Sequence, residues 1–180
     1  MASFTGQIDD NLAGIVALAA DGDEAAFARI VAAHHDDMTR VCFVVCGDID
    51  VADEAVQAAW SVAWLRFGSL RDAARLRPWL VAIAVNEARQ LIRRRRRRTV
   101  VELAMTGADE GADPAGRVAN LDLINALSRL DPDDRALLAL RYVAGFDSTE
   151  LARALGGSAS GTRARLARLL RRLRTELGDD

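Results

Sequence analysis

Lysine is absent from this chain of 180 residues, and all 24 basic side chains are arginine. The compact, strongly hydrated ammonium is therefore excluded. What remains is a planar fork suited to bidentate contacts with phosphate or a guanine edge. Long apolar runs are missing too. None approaches the ~18 residues that cross a bilayer, and Met1-Ala2-Ser3-Phe4-Thr5 carries neither the basic nor the apolar segment of a secretory signal. The expectation is a cytoplasmic protein without membrane insertion.

Cysteine is scarce: Cys42 and Cys46 stand four apart on an apolar stretch. No further cysteine or well-spaced histidine completes a metal site, so the pair reads as small buried hydrophobes. His34-His35-Asp36-Asp37 is no better as a metal centre. Adjacent helical positions diverge by about 100°, and four residues on from His34 stands Met38. No nucleophile elbow, phosphate loop or supported pair of catalytic carboxylates is visible, so neither an enzyme nor a cofactor is expected. Runs of β-branched residues are few, while alanine and leucine dominate, which points to an all-α fold.

The formal net charge is −2, so the whole-chain balance says nothing about nucleic acid; the distribution of arginine does. Pro78 through Ile92 reads as a helix, with Trp79, Leu80, Ile83, Ala84 and Leu91 in an apolar stripe and Pro78 in the first turn. It runs into six consecutive arginines, Arg93 to Arg98. Cations suit a helix C-terminus, but six exceed what the macrodipole requires, and a polyanion is the natural partner for the excess.

In chain order, residues 1–20 hold a short helix (Ile8, Leu12, Ile15, Val16, Ala19) that reads as an extension. Asp21-Gly22-Asp23 caps a helix from about Glu24 to Cys46, stopped by Gly47, and the middle at His34-Asp37 invites a kink. Asp48 or Asp50 caps the next, about 51–66, whose Trp60 and Trp64 read as core. A long, arginine-bearing loop from Phe67 to Arg77 precedes the arginine-ending helix, and long loops in compact helical domains tend to be functional. The first domain is thus 21–98. A small, acidic, glycine-bearing stretch follows, and 99–113 reads as a flexible linker whose Asp109, Glu110 and Asp113 could cover the arginine run.

The second domain is 114–177. Val118, Leu121, Ile124, Leu127 and Leu130 mark one helix, and Asp131-Pro132-Asp133-Asp134 starts another with a cap, a proline and acids in the first turn. A short helix over 149–155, a turn at Gly156-Gly157-Ser158 and a last helix to Leu177 make a helix-turn-helix. On that helix Leu166, Leu169, Leu170, Leu173 and Leu177 form one stripe, and six arginines (163, 165, 168, 171, 172 and 174) face a single acid, Glu176. A solvated face normally mixes both signs, so this one points to nucleic acid. The first basic surface is different: Arg71, Arg75, Arg77 and Arg89, with Arg93–Arg98, lie beside Trp79, a mixture suited to unpaired strands. Two such surfaces on one tether suit a protein reading two separated DNA elements at once.

These residues resemble an extracytoplasmic-function sigma factor of the sigma-70 superfamily, in its minimal form with regions 2 and 4 only, over about Asp21 to Leu177. Ala52-Asp53-Glu54 with Gln57, Trp60 and Trp64 resembles one region 2 pattern; Trp79-Leu80, Ile83-Ala84, Asn86 and Ala88 resemble another. In region 4, Leu127, Leu130-Asp131-Pro132, Arg135, Leu140-Arg141-Tyr142, Gly145, Glu150-Leu151-Ala152, Leu155-Gly156, Ser158 and Arg165-Leu166 with Arg168 follow the family's steps.

The resemblance implies two all-α domains, core RNA polymerase (the largest subunit's clamp coiled coil, and the flap) and promoter DNA as partners, and an anti-sigma factor as a possible one. It places Asp53, Glu54, Gln57 and Trp60 against the polymerase. It places Arg71, Arg75, Arg77, Trp79, Asn86, Arg89 and Arg93 at the −10 strand, and Ser158, Ser160, Arg163, Arg165 and Arg168 at the −35 groove. The chain departs from the pattern at Ala58, Gln90, Gly157 and Gly161, the last two implying a recognition helix that starts late or flexes. A stand-alone helix-turn-helix regulator remains the second reading; it would bind duplex by itself, whereas a sigma factor would need core polymerase.

Overall fold

The computed structural model describes residues 3–106, 126–127 and 129–177, with side chains described over 11–98, 126–127 and 129–176. Among the described residues there are seven α-helices and no strand. They are α1 (Ser3–Ala20), α2 (Glu24–Cys46), α3 (Ile49–Arg66), α4 (Leu76–Thr106), α5 (Pro132–Leu138), α6 (Ser148–Leu155) and α7 (Ala159–Leu177).

Local chemistry sets most of the boundaries. The Asp23 carboxylate accepts from the Ala26 N–H at 2.7 Å and starts α2. Gly47, at φ 73°, ends it with its N–H donating to the Phe43 carbonyl at 2.7 Å. Asp48 caps α3 through the Val51 N–H. The His34–Asp37 segment does not break α2, which is one continuous helix. Each helix turns one face inward. Ile30, Met38, Val41 and Val45 of α2 meet Val56, Ala59 and Ala63 of α3 and Leu80, Val81, Ala84 and Ala88 of α4, all at 2% exposure or less. Small residues on α3 and α4 let those two axes come close. The extension is docked, not free: Val16 and Ala19 of α1 are buried, and the helix packs on α2 and on the 3-10 turns that precede α4.

Two expectations change. The helix expected to close at Arg98 continues through Thr106. Thr99-Val100-Val101-Glu102-Leu103-Ala104-Met105 contains no glycine or proline, so the helix propagates until Gly107 is reached. The acids expected to cover the arginine run, Asp109, Glu110 and Asp113, lie outside the described residues, as do Val118, Leu121 and Ile124. Trp64 is not core: it is 37% exposed at the surface of α3, one ring edge against Phe27.

The second half packs on the first. Helix α5 lies against α2 and α4, and α6 lies against α4. Ala136, Leu137 and Leu140 belong to the same apolar cluster as Met38 and Leu80. Asp131 caps α5, accepting from the Asp133 and Asp134 N–H groups at 2.8 and 2.9 Å, with Pro132 in the first turn. The helix widens into a π turn over Ala139–Val143 before Gly145, at φ 77°. Asp147 and Glu150 then form a reciprocal capping box at the start of α6. Gly156, at φ 74°, makes the turn of the helix-turn-helix. Despite Gly157 and Gly161, α7 begins at Ala159, with the Ser158 hydroxyl accepting from the Gly161 N–H at 3.1 Å.

Candidate nucleic-acid interface

The loop between α3 and α4 is two short 3-10 turns, Phe67–Ser69 and Ala73–Arg75. Phe67 anchors it. The ring is buried, meeting Phe27 and Trp79 edge-to-face at centroid distances of 5.6 and 5.5 Å. Asp72 caps the second turn through the Ala74 N–H. Arg71 and Arg75 are thereby left on the outside, next to the half-buried ring of Trp79. These three, with Asn86, line a cavity of about 530 Å³. Its far wall is not solvent but α6 and its approach: Phe146, Glu150 and Arg153. The cleft therefore lies between the two halves of the molecule.

The other residues expected at the −10 strand are committed elsewhere. Arg77 Nε lies 2.9 Å from an Asp37 oxygen, and its Nη1 donates to the Ala144 carbonyl at 2.7 Å, tying α4 to α2 and to the second half together. Arg89 and Arg93 both donate to the same oxygen of Asp133, at 2.7 and 2.8 Å. Asn86 accepts from Arg89 at 3.0 Å. Partial burial alone would raise the Asp133 carboxyl; the hydrogen bonds and charges of the two arginines outweigh it and hold the group below the usual carboxylate range. Within the arginine run Arg95 pairs with Glu54 at 2.6 Å, while Arg94, Arg96, Arg97 and Arg98 are exposed.

The second basic face is on α7. Leu169 and Leu173 turn inward, so Ser158, Ser160, Arg163 and Arg168 point outward and are exposed. Arg165 is different. Its guanidinium donates to Asp134 at 2.8 Å and lies 3.7 Å from Asp131, holding α7 to the first turn of α5. Arg135, between the halves, is 8% exposed, and burial pulls its guanidinium below the usual arginine range. It lies beside Gly47 at the C-terminal end of α2, where free carbonyls favour a cation.

The expected polymerase face is partly assembled. Asp53, Glu54 and Gln57 are exposed on α3. Trp60 is not on that surface: it is buried, edge-on to Phe27, and its indole N–H donates to His35 Nδ1 at 3.2 Å. Sequence reasoning missed the acidic turn Asp131–Asp134 as a partner of the arginines, because caps and first-turn acids already accounted for every carboxylate in it.

A helix-turn-helix with an arginine-rich last helix, set against a second basic surface beside an aromatic-lined cleft, has the make-up of a DNA-binding protein. The family models for sigma-70 region 2 and sigma-70 region 4 match residues 30–98 and 120–173. The ECF RNA polymerase sigma factor SigM of Mycobacterium tuberculosis is 31% identical over 96% of this chain and 91% of its own. The probable RNA polymerase sigma factor RfaY of Xanthomonas campestris pv. campestris is 32% identical over 88% of this chain, which spans only 42% of RfaY. The sigma factor RpoE from Bartonella quintana, solved with the anti-sigma factor NepR, has the same fold at a TM-score of 0.68, with 24% identity over 86% of this chain and 98% of its own. The chain belongs to the extracytoplasmic-function sigma factors of the sigma-70 superfamily.

Among the described residues no helix is long and apolar enough to cross a membrane.

Proposed function

We propose that this chain joins bacterial core RNA polymerase, brings it to promoters by engaging −35 and −10 elements, and helps open the duplex at the second. It does no bond chemistry of its own and works in the cytoplasm, where polymerase and chromosome are. The observation that carries this is the separation of two arginine surfaces onto the two matched regions. The α7 face with Arg163 and Arg168 is a projecting helix, suited to a major groove. The Arg71, Arg75, Trp79 and Asn86 cleft combines cations, a ring edge and an amide, suited to unstacked bases. Flipping a base out costs a few kcal/mol, which such a cleft can offset. Asp53, Glu54 and Gln57 form the polymerase-facing polar patch on α3, the clamp coiled coil being its partner, with Trp60 fixing the helix from behind. Region 4 takes the flap. An anti-sigma factor, as NepR is for RpoE, would be a further partner.

The test is promoter binding by fluorescence anisotropy with and without core enzyme. Tight binding only with core supports a sigma factor. Tight, two-fold-symmetric duplex binding by the free chain would support a stand-alone regulator instead.

A further inference from the structure

We propose that the junction of α2, α4 and α5 binds a small phosphate-bearing anion between the guanidinium groups of Arg135 and Arg96. The site goes beyond promoter binding and does not depend on it. Arg135 of α5 is 8% exposed, and its Nε is buried without a hydrogen-bond partner. No ion pair among the described residues includes it. Arginine is almost never fully buried unless paired, because a desolvated charge is costly. Here a neighbouring charge has the same sign: Arg96, exposed on α4, acts on Arg135 as a second cation. Arg96 likewise has no ion pair among the described residues.

Nothing around the pair cancels its charge in full. Asp131, one turn back on α5, attracts Arg135, but its carboxylate already accepts two N–H groups of the cap and lies 3.7 Å from Arg165. Asp48 is committed to the cap of α3. The Cys46 thiol, raised to about 11, is neutral at physiological pH. The carbonyl end of α2 supplies roughly half a negative charge, against two whole positive ones. Gly47 leaves room beside the guanidinium, where a Cβ would sit 3.9 Å from Nη1. A guanidinium fork grips two oxygens of one phosphate, and a free or terminal phosphate carries about −1.5 to −2 charges at neutral pH, which matches the two arginines. A backbone phosphodiester does not fit: it carries one charge and a sugar on either side, and Arg135 offers too little open surface to admit them. The ligand class is therefore inorganic phosphate or the terminal phosphate of a nucleotide. Bound there, it ties α5 to α4 and to the end of α2 and stabilises the folded chain by mass action.

The test uses the full chain in phosphate-free buffer, titrated with sodium phosphate or with ADP against sodium chloride of matched ionic strength. Thermal melts and isothermal titration calorimetry are the readouts. Above Kd, the wild-type Tm should climb by about 3–5 °C for each tenfold rise in ligand, and sodium chloride should not reproduce it. Tighter binding of ADP than of phosphate assigns the site to a nucleotide, and equal binding assigns it to the free ion. Arg135→Met keeps the length and removes the charge. Without ligand it should melt at or above wild type, because an uncompensated charge is gone, and it should lose the response to both ligands. Arg96→Gln, an exposed change that leaves the core alone, should keep the ligand-free Tm and weaken binding about tenfold. Arg29→Gln, an exposed arginine of α2 about five turns from Cys46, should bind as wild type does. Wild type that gives no heat and no shift beyond the chloride control overturns the site. So does an Arg96→Gln chain that binds as tightly as wild type, or an Arg135→Met chain that still responds. An Arg135→Met chain that melts well below wild type without ligand overturns the premise that the buried charge is uncompensated.

Discussion

Arg165 and Arg168 are neighbours on one helix face, and the structure gives them different work. Arg168 is exposed with no ion pair among the described residues. Arg165 places two nitrogens 2.7–2.8 Å from an Asp134 oxygen, and that carboxylate side chain is only 12% exposed against 40% for the guanidinium. Breaking a fully buried pair costs about 3–5 kcal/mol, and losing an exposed one about 0.2–1 kcal/mol. With one partner buried and the other partly wet, Arg165→Ala should cost about 2 kcal/mol, since Asp134 is left desolvated and unpaired. In a chain of this size that is roughly 4–8 °C in Tm. Arg168→Ala should stay within about 0.5 kcal/mol of wild type. Both should weaken −35 binding by the holoenzyme, by about 1–3 kcal/mol for each base edge that is no longer read. Thermal melts followed by circular dichroism, paired with footprinting of the −35 element, separate the two roles. A double-mutant cycle with Asp134→Asn should return a coupling of about 1–2 kcal/mol. An Arg165→Ala protein that melts with wild type would refute the assignment of Arg165 as a structural tie.

The Asp133 pairing should respond to acid in a defined direction. The carboxyl is depressed in the folded chain, so its contribution is complete above the unfolded carboxylate value of about 3.9 and is lost as pH falls through the lower folded value. The Tm difference between wild type and Asp133→Asn should therefore be constant from mildly acidic to neutral pH and shrink only in stronger acid; a difference that appears only above pH 6 would contradict the linkage. Asn86→Ala removes an amide from the cleft and the acceptor for Arg89; permanganate reactivity of the −10 bases should fall more than closed-complex affinity, and equal losses would make Asn86 merely structural. Burial raises the Cys46 thiol to about 11, with Arg135 opposing that rise in part. Alkylation by iodoacetamide at pH 7.5 should be slow in the folded chain and fast in urea, while fast modification of native protein would show the thiol to be more accessible than its setting implies.

Much of the architecture was legible because it is decided by neighbours in sequence. Asp23, Asp48, Asp131 and Asp147 cap helices through N–H groups two or three residues ahead, and Gly47 and Gly156 end them. Apolar spacing located the core of α2, α3 and α4 for the same reason. The misjudged ends were those where two signals conflicted. Six arginines looked like a terminus, yet the residues after them favour helix, and α4 runs on to Thr106. Trp64 carries a core residue's chemistry at a position the helix leaves half open.

The candidate site was only partly legible. Periodicity could place Arg163 and Arg168 on an outward face, because α7 buries only one stripe. It could not distinguish Arg71, which stays exposed, from Arg77, Arg89 and Arg93, which find carboxylates on other elements. Those pairings span 40 and 44 residues of sequence and arise from tertiary packing. Trp60 is the reverse case: its spacing placed it in the core, where Phe27 and His35 enclose it, and only the resemblance put it on the face of Asp53, Glu54 and Gln57.

This chain is expected to program core polymerase through two distinct arginine surfaces. Reconstituting core enzyme with the purified chain on a library of genomic fragments, and sequencing the 5′ ends of the transcripts, tests it most directly. The expected result is discrete start sites preceded by two recurring elements at fixed spacing, with Arg163→Ala plus Arg168→Ala relaxing selection only at the upstream element. Transcripts indistinguishable from those of core enzyme alone would contradict it.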